Sequence, residues 1–221
     1  MNVFDIIGPI MIGPSSSHTA GADKIGFIIR ELMGEPIVKA QIKLHGSFAA
    51  TYKGHGTDKA LIAGLMGMHP DDERIKNSKE IATKKGLSIS ISTVKLENAH
   101  PNTAIIKAVG KSGKSLTVQG SSIGGGEIVI NEINGMTVNF NGENNTLVIF
   151  HKDTPGEVSK VSDLLAKQNI NIAGMKVFRS KQGGSAVMVI ETDQKVEKKL
   201  VDKIERIDYI ESVSAIEKME Q

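Results

Sequence analysis

Residues 153–173 read DTPGEVSKVSDLLAKQNINIA, and this stretch decides the fold of the C-terminal part of the chain. Proline fixes φ and glycine tolerates unusual dihedral angles, so the opening DTPG is typical of a turn. We expect Thr154 to cap a helix with Pro155 at its first position and Glu157 at its third, which is a capping box. The helix then has a single apolar face, formed by Val158, Val161 and Leu165.

The stretches around this turn alternate in a regular order of strands and helices. The pattern predicts strands at 147–150, 171–178, 185–190 and 209–216, and helices at 155–168 and 195–206. A βαββαβ order within about 75 residues is typical of a ferredoxin-like module. The polar residues 139–145 form turns rather than regular structure. We therefore predict two domains, at residues 1–140 and 146–221.

The first domain has the pattern of a mixed α/β fold. An amphipathic helix ending at Gly34 is followed by a strand at 37–44 and by helices at 57–66 and 77–85. Further strands are predicted at 87–93, 103–109, 115–119 and 127–131. The short turns between the late strands favour an antiparallel sheet with the helices on one face. The whole chain is accordingly predicted to be an α+β protein.

Residues 13–21 read GPSSSHTAG and immediately precede the first amphipathic helix. Serine is a preferred helix N-cap, and free backbone N–H groups at a helix start attract anions. We expect Ser16, Ser17, His18 and Thr19 to form a site for a carboxylate or phosphate. The alternative is an ordinary N-cap with a solvent-facing histidine.

Two further segments carry polar groups suited to a site. Residues 45–58, HGSFAATYKGHGTD, are predicted to connect a strand to a helix, with His55 on a turn between glycines. Thr57 or Asp58 is expected to cap the helix that follows. Residues 100–103, HPNT, form a turn in which Asn102 and Thr103 either bind a substrate carboxylate or satisfy the turn backbone.

The motifs GPSSSHTAG, GHGTD and HPNT resemble those of the iron–sulfur-dependent L-serine dehydratases, and the chain is similar to the β chain of their two-chain form. The resemblance implies conversion of L-serine to pyruvate and ammonia, with a 4Fe-4S cluster as Lewis acid and without pyridoxal phosphate. It also implies His55 as the base and His18 as a substrate-orienting or proton-relay group, although the reverse order stays open. Ser16, Ser17 and Thr19 would bind the substrate carboxylate.

The C-terminal module resembles an ACT domain, a family of small-molecule sensors, through DTPG and the later NINIA. The resemblance places effector binding at Asp153, Gly156 and Asn171. The first of these positions is often asparagine in amino-acid-binding members, and Asp153 departs from that pattern. The alternative is that the module only joins chains by self-association.

The chain has no cysteine, and iron–sulfur clusters are normally held by cysteine thiolates. The resemblance therefore implies that a separate α chain carries the cluster, and we assign no metal site to this chain. The absence of cysteine also excludes disulfides and fits a reducing cytoplasm.

The composition argues against several other classes of protein. A net charge of +2 with interspersed signs gives no electrostatic footprint for nucleic acid. Residues 3–12 are apolar but lack a basic n-region, so no signal peptide is expected. No stretch approaches the ~20 apolar residues of a membrane span. The competing functional interpretation is a stand-alone regulatory protein that senses an amino acid or anion without catalysis.

Overall fold

The computed structural model describes residues 11–219, so residues 3–10 of the apolar N-terminal run lie outside the described part. The helices are α1 (Ala22–Met33), α2 (Gly46–His55), α3 (Thr57–Leu65), α4 (Ser78–Lys84), α5 (Glu157–Ala166) and α6 (Lys198–Glu205). The strands are β1 (Ile37–Leu44), β2 (Ser88–Thr93), β3 (Thr103–Gly110), β4 (Ser115–Gly124), β5 (Glu127–Ile133), β6 (Met136–Phe140), β7 (Asn145–Lys152), β8 (Ile172–Arg179), β9 (Ser185–Thr192) and β10 (Ile210–Ile216). None of the helices in residues 11–219 is long and apolar enough to cross a bilayer.

The described chain divides after Asn134 into two compact units. The five strands of the first unit have the order β2-β1-β3-β4-β5, and neighbours from β1 to β5 are antiparallel as predicted. The pair β1 and β2 is parallel, which the prediction of an antiparallel sheet missed. The connection between these two strands runs through α2, α3 and α4, and a helical crossover of that kind permits parallel pairing. Strand β6 lies just past the boundary between the units.

The first unit is built around a close crossing of α1 and α3. Gly26 on α1 and Gly64 on α3 let the two backbones meet, since a Cβ at Gly26 would lie 2.9 Å from the backbone nitrogen of Leu65. A Cβ at Gly64 would overlap the carbonyl oxygen of Asp23 and lie 2.6 Å from the backbone nitrogen of Phe27. Because both obstacles are backbone atoms, the helices would have to move apart to accept a side chain.

We expect Gly64→Ala to lower the free energy of unfolding by about 3 kcal/mol, the upper end of the range for overpacking. Gly54→Ala is the matched control, because Gly54 is also helical but a Cβ there would have no neighbour within 4 Å. That control should gain about 0.5–1 kcal/mol from the helix preference of alanine. Urea unfolding followed by circular dichroism measures both values. Equal stability of the two variants would contradict the close helix crossing.

The second unit has the predicted βαββαβ order and a four-stranded antiparallel sheet with the order β10-β7-β9-β8. The two helices share a core with alternate residues of the strands. Its fully buried members are Leu147, Ile149, Val161, Leu165, Met188, Ile190 and Ile204. The ferredoxin-like prediction for this unit is confirmed.

The predicted capping box at the start of α5 is wrong. The helix begins at Glu157, after the N-cap Gly156, whose φ of 93° lies in the left-handed region that favours glycine. The hydroxyl of Thr154 instead donates to the carbonyl of Lys152 at 3.2 Å, so the threonine belongs to the turn. Glu157 is buried at the first helical position and pairs with Lys160 at 2.8 Å.

Candidate functional site

The predicted helix start at residues 13–21 contains an irregular turn. Ser17–Gly21 form a π-helical turn that continues directly into α1, and the side chain of the N-cap residue Ser16 makes no capping hydrogen bond. The turn is closed by backbone hydrogen bonds from Thr19 N–H to the Ser15 carbonyl at 2.8 Å and from Gly21 N–H to the Ser16 carbonyl at 2.9 Å. Single π-turns of this kind are rare and often occur at functional sites.

His18 lies on this turn and is only 8% exposed. Its Nδ1 is 3.3 Å from Ser15 Oγ, and its Nε2 is 3.1 Å from Ser47 Oγ. The imidazole also meets the ring of Phe48 edge-on, with the centroids 5.2 Å apart. His18 is therefore held by contacts on both ring nitrogens and is not the solvent-facing histidine of the alternative interpretation.

His55 lies beside His18, with the ring centroids 4.8 Å apart and the planes perpendicular. The expectation that His55 sits on a loop is wrong, because residues 46–55 form α2 and His55 is its last residue. Ser47 and His55 are eight residues apart, little more than two helical turns, so they share one helix face. The side chain of His55 is exposed and has no hydrogen bond among residues 11–219.

Burial and charge act on His18 in the same direction. Burial lowers the pKa of His18 below its usual value, and the charge of nearby His55 lowers that pKa further. His18 is therefore harder to protonate than an isolated histidine.

The three hydroxyls predicted to bind a carboxylate have different environments. The side chains of Ser16 and Ser17 are half-buried and have no side-chain hydrogen bond within the described residues. Thr19 Oγ1 is buried without a partner among residues 11–219 and lies close to Gly13, where a Cβ would overlap it. The role of Thr19 as a carboxylate ligand stays a prediction.

Gly21, the last residue of the π-helical turn, contacts Ser122 near the C-terminal end of β4. A Cβ at Gly21 would overlap Ser122 Oγ and lie 2.8 Å from Ser122 Cβ, so glycine is required for this approach. The Ser122 carbonyl accepts a hydrogen bond from Asn102 Nδ2 at 3.4 Å. Ser122 Oγ and Asn102 Oδ1 are both buried without partners among the described residues. Ser122 therefore contacts both Asn102, a predicted site residue, and Gly21 at the end of the π-helical turn.

Thr103, predicted beside Asn102, has a fully engaged hydroxyl. Its Oγ1 donates to the His100 carbonyl at 2.6 Å and lies 2.8 Å from Ser121 Oγ, inside the sheet. Ser121 in turn contacts Asn131 Oδ1 at 2.9 Å. This arrangement favours the interpretation in which Thr103 satisfies the turn and sheet, and its contact with substrate stays a prediction.

The start of α3 differs from the predicted cap. Gly56 is the N-cap, so neither Thr57 nor Asp58 occupies the capping position. Asp58 is buried, accepts the N–H of Lys59 and forms an ion pair with Lys79 on α4. Thr57 Oγ1 is buried without a partner in the described chain.

The three predicted effector residues of the second unit do not share one hydrogen-bond network. Asp153 bonds to Arg179 Nη1 at 3.2 Å and to Gly183 N–H at 3.0 Å, which ties it to the β8–β9 hairpin. These bonds hold the pKa of Asp153 below its usual value. Asn171 donates to Asp193 Oδ2 at 2.6 Å, and Gly156 caps α5. Their effector role stays a prediction.

Two residues at or near the site were missed in the sequence. Ser47 lies within the segment that the sequence predicts to connect a strand to a helix, and its contact with His18 depends on the formation of α2. Asp23 on α1 is fully buried, and both carboxyl oxygens lack partners among residues 11–219. Burial, followed by the charges of Asp72 and Asp71, raises the pKa of Asp23 to about 9. An aspartate early in an amphipathic helix looks like a routine first-turn acid, and nothing in the sequence pattern marked it.

The residues present do not fit an iron–sulfur cluster. The chain has no cysteine to supply thiolate ligands. Within residues 11–219 no group of three or more histidine, aspartate or glutamate side chains is placed to hold a metal ion.

The fold and the site define a chain with a histidine pair in its first unit and a ferredoxin-like module in its second. Residues 2–133 match the family model described as "Serine dehydratase beta chain", and residues 145–208 match that of the ACT domain. The chain belongs to the serine dehydratase β chain family, as the motifs predicted.

Similar proteins cover nearly the whole chain. It is 43% identical over 215 residues to the "Probable L-serine dehydratase, beta chain" of Bacillus subtilis (strain 168), covering 97% of each. It is 38% identical over 217 residues to the "L-serine dehydratase, beta chain" of Peptoniphilus asaccharolyticus, covering 98% of each. It is also 31% identical over 198 residues to a D-3-phosphoglycerate dehydrogenase of Bacillus subtilis (strain 168), covering 89% of this chain and 37% of that protein.

Proposed function

We propose that this chain is the β subunit of an L-serine dehydratase and supplies part of an active site that converts L-serine to pyruvate and ammonia. The observation that carries the proposal is the histidine pair: the His18 imidazole is buried and hydrogen-bonded, and the His55 imidazole is exposed and makes no hydrogen bond within residues 11–219. The descriptions of the relatives as dehydratase β chains support the same activity. A β chain also implies a partner α chain.

The exposed histidine is the group suited to proton removal. Dehydration of serine requires loss of the weakly acidic α-proton to a base whose pKa lies near the working pH. His55 has no competing hydrogen bond within the described residues, so a ring nitrogen is free to accept that proton. Burial already lowers the pKa of His18, and a charge on His55 lowers it further, which disfavours a second proton on His18.

The substrate carboxylate is proposed to bind at the π-helical turn. Ser16 and Ser17 provide partly accessible hydroxyls beside His18, and hydroxyl donors suit a carboxylate. At the other end of the turn, Ser122 Oγ and Asn102 Oδ1 are buried without partners among residues 11–219, so neither atom is open to a ligand in this conformation.

The 4Fe-4S cluster is proposed to belong to the separate α chain, because this chain offers no thiolates and no metal-binding group within residues 11–219. The complete site would then be shared between the two chains. We propose that the enzyme needs no pyridoxal phosphate and that it works in the reducing cytoplasm.

Separation and reassembly of the two chains test the proposal. The purified chain alone should be colourless and should form no pyruvate from serine, since it has no thiolate to ligate iron. Anaerobic mixing with its α partner should give pyruvate formation that is lost in air, and the rate should not depend on added pyridoxal phosphate. Activity of the lone chain, or activity that requires pyridoxal phosphate, would overturn the proposal.

A further inference from the structure

Ser47 contacts His18 from α2, across 29 positions of sequence. The two groups approach each other because Ser47 lies in the first turn of α2 and His18 lies on the π-helical turn. Ser47 Oγ is 3.1 Å from Nε2, while Ser15 Oγ is 3.3 Å from Nδ1. Each ring nitrogen of His18 therefore faces one serine hydroxyl. The tautomer of the ring decides which nitrogen donates a hydrogen bond and which accepts one.

The backbone N–H of His18 helps to assign these hydrogens. It donates to Ser15 Oγ at 3.4 Å, so that oxygen already accepts one hydrogen bond. A hydroxyl that accepts from one group is polarised to donate to another, and hydrogen bonds in such a chain strengthen each other. Ser15 then donates its hydrogen to Nδ1 of His18. In the neutral ring the proton must lie on Nε2, which points at Ser47.

We propose that Ser47 is a positioning residue: its hydroxyl accepts the Nε2 proton of His18 and, together with the Ser15 hydroxyl on Nδ1, fixes which ring nitrogen carries that proton. The hydroxyl hydrogen of Ser47 has no acceptor among residues 11–219 and remains available to a ligand. Both nitrogens of neutral His18 are then occupied, Nδ1 by the Ser15 hydrogen and Nε2 by its own proton. His18 has no free lone pair, which leaves His55 as the acceptor of the substrate proton. This last step rests on the proposed function, whereas the tautomer does not.

The tautomer can be measured on the full chain without its partner. Long-range proton–nitrogen NMR spectra of the ¹⁵N-labelled protein at pH 8 distinguish the two tautomers, and His18→Asn identifies the signals of His18. The wild-type ring should be in the Nε2–H form. Ser47→Ala should give a mixture of both forms, and Ser47→Thr, which keeps a hydroxyl, should restore the Nε2–H form.

Thr51→Ala is the matched control on the same helix. Thr51 Oγ1 donates to the Ser47 carbonyl at 2.8 Å, so this change removes a hydroxyl one turn further along α2 without touching His18. Its His18 spectrum should equal that of the wild type. The proposal is wrong if His18 of the wild-type chain is in the Nδ1–H form. It is also wrong if Ser47→Ala folds and its His18 spectrum equals that of the wild type.

Activity of the reassembled enzyme separates this inference from the proposed function. Ser47→Ala should lower kcat about fivefold, as expected for one lost neutral hydrogen bond, and Ser47→Thr should recover most of it. If His55→Ala and His18→Asn both keep full activity, the proposed function fails while the NMR result stands. If those two variants lose activity but Ser47→Ala leaves both kcat and the tautomer unchanged, only the role of Ser47 is wrong.

Discussion

His55→Ala should lower kcat for serine by a factor of about 10² to 10⁴ in the reassembled enzyme, the usual contribution of a general base. The reason is geometric: His55 is exposed and makes no hydrogen bond in the described part of the chain. Its ring centroid lies 4.8 Å from that of His18, whose ring nitrogens both face serine hydroxyls. Steady-state pyruvate formation measures the loss. KM should change little, because the base acts mainly in the transition state.

Two further variants test whether the loss of kcat is specific to His55. His69→Ala removes another exposed histidine of the same unit, whose ring meets Phe27 at 4.8 Å rather than the candidate site, and should keep wild-type kcat. His18→Asn should raise KM at least as much as it lowers kcat, because the proposed role of His18 is to orient the substrate. Near-wild-type kinetics in both His55→Ala and His18→Asn would move the chemistry to the α chain.

Most elements of the fold could be predicted because their apolar residues follow a helix or strand period. Strand β1 was placed at its observed bounds, and the βαββαβ order of the second unit is confirmed. The parallel pairing of β1 with β2 was missed, since local patterns do not show which strand edges meet. The predicted start of α5 was wrong because the sequence DTPG is compatible with two structures. One is a capping box, and the other is the turn that the structure shows, in which Gly156 has a positive φ.

The sequence motifs named candidate site residues but did not predict the geometry that joins them. Helix α2 was missed because it contains two glycines and buries only Phe48, so it has no apolar stripe to detect. Without that helix, Ser47 has no reason to face His18, and His55 looks like a loop residue. The contact of Gly21 with Ser122 was equally hidden, because it joins segments that are a hundred residues apart. Spacing along the chain reports local structure, whereas these contacts depend on how α2 and β4 pack around the turn.

Asp23 in the first unit should make the free energy of unfolding depend on pH. It is fully buried, both carboxyl oxygens lack partners within residues 11–219, and the acids Asp71 and Asp72 add repulsion. The pKa of Asp23 is raised from 3.8 to about 9, so the folded chain holds a proton that the unfolded chain releases above about pH 4. Folding therefore takes up a proton between these values, and stability must fall as the pH rises.

We expect Asp23→Asn to remove a slope of up to about 1.4 kcal/mol per pH unit from the free energy of unfolding between pH 5 and 9. The wild type should lose stability steadily across this range, whereas the amide cannot ionise and the variant should gain most at pH 9. Asp71→Asn is the control: it removes one repelling charge but not the burial, which is the larger cause, so most of the slope should remain. Urea unfolding at each pH measures the three chains. Parallel pH profiles for the wild type and Asp23→Asn would show that Asp23 is ionised in the folded chain and that a partner compensates its charge.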